Sequence, residues 1–278
     1  MPAADFTLRP LSAAVGAEVY GADLAQADDA TIAALRAVWL EAGVLVFPDQ
    51  QLDSDQFLRL ARRFGEPSDY PFLNGLPGHP QITEVIKLEH ERVNFGGVWH
   101  TDTAYLPTPP MATLLLARET PPVGGDTLFA SQVAAYEALS TGMKRQLAGL
   151  RAVQSSAKAD VSATREDRLR DAARSADPQV YEAIHPVVRT HPETGRKALY
   201  VNPAHTLRFE GMTEDESAPL LSFLFAHQVR PEFIGRVGWR PGALAIWDNR
   251  QLLHFPVNDY HGHRRIMHRI TLAGDVPT

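Results

Sequence analysis

His263-Arg264-Arg265-Ile266-Met267-His268-Arg269-Ile270-Thr271-Leu272 is the stretch that decides how the chain folds. Read as a strand, it puts Arg265, Met267, Arg269 and Thr271 on one face and Arg264, Ile266, His268 and Ile270 on the other. A polar edge strand would leave one face in water. Here the second face carries two isoleucines, so both sides are at least partly covered and the strand lies between layers. Arg265 and Arg269 then share a face, with backbones about 13 Å apart at ~3.3 Å per residue. A guanidinium grips an oxyanion bidentately, and a buried one needs an anion. The strand asks for a layered β fold and for two anions.

Working outward, short β-rich runs recur: QITEVIKL at 81–88, ATLLLA at 112–117, DTLFA at 126–130, ALYVN at 198–202 and GALAIWDN at 242–249. Turns such as Thr108-Pro109-Pro110, Pro121-Pro122 and Arg240-Pro241-Gly242 separate them. Residues 7–22 read as short strands around Gly16 and Gly21. Helical spacing covers 29–42, stopped by Gly43, and a second helix runs from an Asp53 or Ser54 cap to Gly65. Further helices are expected at 131–149 and at 213–229, the latter with Thr213 and Glu216 as a capping box. Many short strands with a few covering helices predict a mainly β, double-sheet sandwich or jelly roll, as a single domain over 1–278. Residues 155–185 are polar with little strand pattern and read as a helical or loop excursion, an insert placed to act as a lid.

The 278 residues are 44% hydrophobic, which suffices for one large core. A formal net charge of -6 offers no surface for a polyanion, so nucleic acid is not an expected partner. The absence of cysteine excludes disulfides, thiolate-bound zinc or clusters and a cysteine nucleophile. It fits a cytoplasmic protein. The N-terminal segment lacks the pattern of a signal peptide, and no run reaches the roughly 18 apolar residues of a membrane span. No membrane contact is expected, and a homo-oligomer is compatible with everything above.

Trp99-His100-Thr101-Asp102-Thr103-Ala104-Tyr105 places an imidazole and a carboxylate two residues apart among strand formers. On a strand both would point to one spot. Two histidines and one carboxylate on a face of Fe(II) leave three adjacent positions open. The third ligand must then come from a distant strand, and His254 in WDNRQLLHFPVNDY is the choice. His79 and His90 lie in polar loops and His227 in a helix. His191 makes an H-x-E with Glu193, but Pro192 and the following turn break that geometry. His261 and His263 flank a turn glycine. Because H-x-D is a short and common string, a purely structural role competes evenly with metal binding. Pro121-Pro122-Val123-Gly124-Gly125-Asp126-Thr127 adds a tight turn entering a strand that presents the Thr127 hydroxyl inward.

WHTDTAYL, PPVGGDTLFA, HPVVRTHPETGRKALYVN, WDNRQLLH and HRRIMHRITLAGD together resemble the taurine/2,4-dichlorophenoxyacetate dioxygenase family, and the agreement runs over nearly the whole chain. The resemblance implies a double-stranded β-helix and an Fe(II)- and 2-oxoglutarate-dependent oxygenase that consumes O2. By position it implies His100, Asp102 and His254 as iron ligands. It implies Thr127 and Arg265 as the clamp on the distal carboxylate of 2-oxoglutarate. Arg269, helped by the backbone N–H of Thr103, matches the group that holds an anionic prime substrate. The reaction implied yields succinate and CO2 and hydroxylates a substrate carbon, with C–O or C–S cleavage where that carbon bears such a bond. The protein need supply no catalytic acid or base beyond the metal ligands. Where taurine enzymes place a histidine and a tyrosine after the FGE motif, this chain has Tyr70 and Leu73, which with Tyr105 suggests an apolar pocket for a small organic anion (an aryl or alkyl carboxylate, sulfonate or sulfate). The competing readings are taurine dioxygenase proper, a zinc hydrolase and a 2-oxoglutarate-binding sensor without turnover.

Overall fold

The computed structural model describes residues 6–68, 75–94, 96–158 and 180–278. Tyr70 and Leu73, and most of the expected insert at 155–185, lie outside the described residues. Arg265–Leu272 is a strand, paired antiparallel on one side with His79–Lys87 and on the other with Ala112–Glu119. The sheet continues through Leu244–Asp248 and Val44–Phe47 to Ala17–Tyr20 and Thr7–Pro10. A smaller sheet centres on Thr127–Ser131, between Ile234–Val237 and Leu252–Pro256.

Alternation along these strands separates two cores. Leu114, Leu116, Leu244, Ile246, Leu45, Phe47 and Ile270 face the helices Asp29–Ala42 and Ser54–Phe64. Leu115, Ala117, Ala245, Trp247, Val44, Val46 and Met267 point the other way, onto Phe129, Val237 and Leu252 of the smaller sheet. Arg265 and Arg269 share the parity of Met267 and are therefore enclosed between the sheets, each 5% exposed. This is the jelly-roll layering expected from the sequence.

The helix termini follow their caps. Asp28 accepts from Thr31 N–H, and Gly43 closes the first helix at φ 77, a left-handed value that favours glycine. Asp53 and Gln56 form a capping box, as do Thr213 and Glu216. The expected helix at 131–149 is instead two, Gln132–Glu137 and Thr141–Leu147, because Ser140 leaves the helical conformation and caps the second through Met143 N–H. Within 155–185, Glu182–Pro186 is a strand and pairs with Arg151–Ser155. The short alternation there was too weak to read beside so many charged neighbours.

His191 follows the strand Val188–Thr190 and enters a turn, yet it serves a buried charge network. It is buried, and its Nε2 lies 2.9 Å from Asp248 Oδ2, while Arg250 donates to both oxygens of that carboxylate. Burial alone would raise the Asp248 carboxyl; the contacts from Arg250 and His191 reverse this and hold it below the ordinary range. A depressed folded pKa stabilises the fold above the ordinary value of 3.8, and that contribution is lost as pH falls through the folded value. His191→Ala is expected to cost about 1–3 kcal/mol in urea denaturation, because it strips one donor from a buried carboxylate. An unchanged denaturation midpoint would contradict this role.

Candidate metal and co-substrate site

His100 and His254 face each other across a single antiparallel bridge, exchanging both backbone hydrogen bonds at 3.1 and 2.8 Å. Directly opposed residues present side chains to the same face, and the two rings lie 4.1 Å apart by centroid. His254 belongs to the strand Leu252–Pro256, which follows a tight turn after Leu244–Asp248. The strand expected through Trp99–Tyr105 stops at His100: Asp102 already lies in a turn, and Thr103 has φ 41. The side chains converge all the same. Asp102 Oδ1 is 3.9 Å from His100 Nε2 and 3.9 Å from His254 Nε2. One donor atom from each of the three residues lies within 4.8 Å of the others.

This donor set suits a divalent metal. Burial lowers the pKa of both imidazoles and keeps them neutral, with lone pairs available. His100 Nδ1 lies 2.7 Å from Val98 O, which can only accept, so Nδ1 carries the proton and Nε2 faces the site. His254 Nδ1 is buried and has no hydrogen-bond partner among the described residues. Burial would raise the Asp102 carboxyl, but Arg269, His254 and His100 together with the Thr113 hydroxyl hold it ionised. Arg269 Nη2 is 2.9 Å from Asp102 Oδ1.

The second sequence-nominated pair, Thr127 and Arg265, shares a neighbour in Trp239. The Gly124-Gly125 turn, with φ 84 and 70, admits the Asp259 carboxylate, which accepts from Gly125 N–H at 2.7 Å. A Cβ on Gly125 would lie 3.3 Å from Arg265 Cδ, so the turn packs directly against that arginine. Thr127 is buried, and its Oγ accepts from Trp239 Nε1 at 3.0 Å, leaving the hydroxyl proton to donate. Trp239 also lies under the Arg265 guanidinium, 5.7 Å from ring centroid to Cζ. Arg265 Nε and Nη2 are buried without a hydrogen-bond partner among the described residues. Burial pulls its pKa below the ordinary value, with Tyr260 and Asp126 opposing. Donors of this kind suit an anion such as a carboxylate.

Tyr105 is buried edge-on to His205 with centroids 4.9 Å apart, and His205 in turn lies 6.2 Å from His100. His205, Trp239, Tyr260 and Thr113 were not evident from sequence. Thr113 alone left a trace, as a hydroxyl among leucines on a strand with inward parity. Trp239 sits beside a Pro-Gly turn, and nothing local marks it.

A jelly roll that brings a His-Asp-His cluster and two buried arginines together between its sheets has the arrangement expected of a metal-dependent oxygenase. The chain matches the taurine catabolism dioxygenase TauD, TfdA family over residues 7–271 and belongs to it. It is 34% identical over 283 residues to the alpha-ketoglutarate-dependent sulfate ester dioxygenase of Pseudomonas putida, covering 99% of this chain and 92% of that protein. It is likewise 34% identical to the (S)-phenoxypropionate/alpha-ketoglutarate-dioxygenase of Sphingobium herbicidovorans, covering 97% and 96%. The crystal structure of a taurine dioxygenase from Burkholderia xenovorans superimposes with a TM-score of 0.82 at 35% identity, covering 99% and 91%. The protein is an alpha-ketoglutarate-dependent dioxygenase, an oxidoreductase whose co-substrates are 2-oxoglutarate and O2.

Replacing Arg265 by Ala is expected to weaken 2-oxoglutarate binding by about 2–5 kcal/mol, as a charge-assisted bidentate contact is lost. Thr127→Val should cost on the order of 1 kcal/mol, one neutral donor. Isothermal titration with 2-oxoglutarate separates the two. Equal losses would contradict the clamp.

Proposed function

We propose that the enzyme hydroxylates a small organic anion bearing a carboxylate, sulfonate or sulfate beside an apolar body, with C–O or C–S cleavage where the hydroxylated carbon carries that bond. Fe(II) held by His100, Asp102 and His254 would supply the oxygen-activating chemistry when bound. Arg265 and Thr127 would fix the distal carboxylate of 2-oxoglutarate. One oxygen atom of O2 then enters the substrate and the other enters succinate, with CO2 released.

The observation that carries the substrate reading is Arg269. It is buried, its guanidinium reaches to 2.9 Å from Asp102 Oδ1, and it shares the inter-sheet face with Arg265. A substrate anion held there lies beside the three converging donors, and fixing it selects which C–H is presented, an orientation effect. The left-handed backbone at Thr103 begins the chain's turn away from the site, and its N–H would add a second contact to the anion. Tyr105 and His205, which pack against each other beside His100, would meet the apolar body, and Tyr70 and Leu73 are further candidates that the resemblance to the family supplies. The relatives named for a sulfate ester and for (S)-phenoxypropionate support an organic anion as substrate, and the phenoxy group of the second is an apolar body of the kind proposed. At about 25 cal/mol per Å², 100 Å² of added apolar burial is worth roughly 2.5 kcal/mol.

Two experiments test the reading. Ala at His100, Asp102 or His254 should abolish substrate-dependent O2 consumption, while His191→Ala should retain it at temperatures where it stays folded. Loss with His191→Ala alone would displace the triad. In a panel of alkyl sulfates, sulfonates and phenoxyalkanoates scored by succinate release, bulky anions should exceed taurine. Arg269→Ala should weaken prime-substrate binding far more than 2-oxoglutarate binding and should uncouple succinate formation from hydroxylation. Efficient turnover of a neutral compound, unaffected by Arg269→Ala, would overturn the proposal.

A further inference from the structure

Asp102 has two oxygens, and they are treated differently. Oδ1 lies 3.9 Å from the Nε2 of both His100 and His254 and 2.9 Å from Arg269 Nη2, so it faces the proposed metal position with one arginine beside it. Oδ2 is 2.5 Å from the hydroxyl of Thr113, a fully buried residue on the strand Ala112–Glu119 whose parity matches Leu115 and Ala117 of the inter-sheet core. An ionised carboxylate only accepts, so the Thr113 hydroxyl must donate. Its oxygen in turn accepts from Asn249 Nδ2 at 3.0 Å. The orientation of that amide is fixed because Trp247 Nε1, which can only donate, lies 3.0 Å from Asn249 Oδ1. The Thr101 hydroxyl donates to the Asn249 backbone carbonyl at 2.8 Å, tying the same residue to the neighbour of Asp102. Trp247, Asn249 and Thr113 thus form a row of buried donors in which every proton has one allowed direction, ending on Oδ2.

We infer that Thr113, polarised by Asn249 and Trp247, is a positioning residue that reserves Asp102 Oδ2 for itself and so presents the carboxylate to a metal through Oδ1 alone. A carboxylate free at both oxygens can rotate to chelate and occupy a coordination position that the co-substrates need. Neighbours that orient a ligand in this way typically contribute 10–100-fold to metal affinity. The inference rests on the reading of Asp102 as a metal ligand.

Mn(II) titration under anaerobic conditions, followed by loss of the EPR signal of the free ion, measures affinity without turnover. Thr113→Val keeps the shape and strand propensity and removes the donor; Mn(II) affinity should fall about 10-fold or more. Thr113→Ser should restore it to within about threefold of wild type by the same measure. Asn249→Asp removes the Nδ2 donor and offers the Thr113 hydroxyl a competing acceptor, so it should weaken Mn(II) in the same direction; it carries the test if Thr113→Val fails to fold. Asp102→Ala is the control for the underlying reading. If Asp102→Ala binds Mn(II) like wild type, the ligand assignment itself fails. If Asp102→Ala loses Mn(II) while Thr113→Val retains wild-type affinity, or Val and Ser lose it equally, the role of the hydroxyl is wrong and the ligand assignment stands.

Discussion

The carboxylate of Asp102 has to be kept ionised in a place where burial opposes its charge. Its partners come from separate parts of the chain. Arg269 belongs to the strand Arg265–Leu272, Thr113 to Ala112–Glu119 and His254 to Leu252–Pro256. None of these contacts exists until both sheets are paired in register. A slip of one residue on the Arg265–Leu272 strand would turn both arginines toward the helices and Ile266 and Ile270 toward the carboxylate. The apolar parity of Leu114, Leu116 and Ile270 against the helices opposes that slip. The site and the fold are therefore specified by the same alternation.

The two arginines on that face are in different electrostatic situations. Arg265 Nε and Nη2 are buried without a hydrogen-bond partner among the described residues, and the guanidinium lies over the Trp239 indole that donates to Thr127. Such a guanidinium is costly unless an anion completes it. Arg269 already has a carboxylate at 2.9 Å. The first would be completed only by an incoming anion, whereas the second is already balanced by Asp102. In the proposed reading 2-oxoglutarate would meet the first and the prime substrate the second.

Much of this was legible in the sequence because it depends on period two. Parity along residues 264–272 separated the arginines from the isoleucines, and the cap residues Asp53 and Thr213 marked helix starts by local chemistry alone. The convergence of His100 with Asp102 was read from strand geometry, yet it arises from a bridge followed by a turn. The outcome was right and the reason was not. What stayed hidden was contact between segments far apart in sequence. Trp239 beneath Arg265, and Asn249 behind Thr113, are set by sheet packing that no local pattern encodes. His191 shows the same limit: its partner Asp248 lies 57 residues away, and nothing around Pro192 signals a buried charge network. The break at Ser140 was readable in principle, since a serine three residues before Met143 is a standard cap, but the apolar spacing on either side concealed it.

Thr103 is the described non-glycine residue with positive φ, and it follows directly after Asp102. Such a conformation costs roughly 1–3 kcal/mol and persists only where its surroundings enforce it. Here they do. The chain enters at His100 locked to His254 by two backbone bonds, Thr101 is tied to the Asn249 carbonyl, and Asp102 is held by Thr113 and Arg269. With three consecutive residues fixed, the backbone must reverse at Thr103 before Ala104 and Tyr105 are buried. A glycine at 103 would relieve the strain but would also loosen the backbone segment on which the Asp102 carboxylate is mounted. The threonine narrows the conformations available to that segment and so keeps the carboxylate aimed between substrate encounters. The strain is better understood as part of the preorganisation of the site than as a defect of the turn.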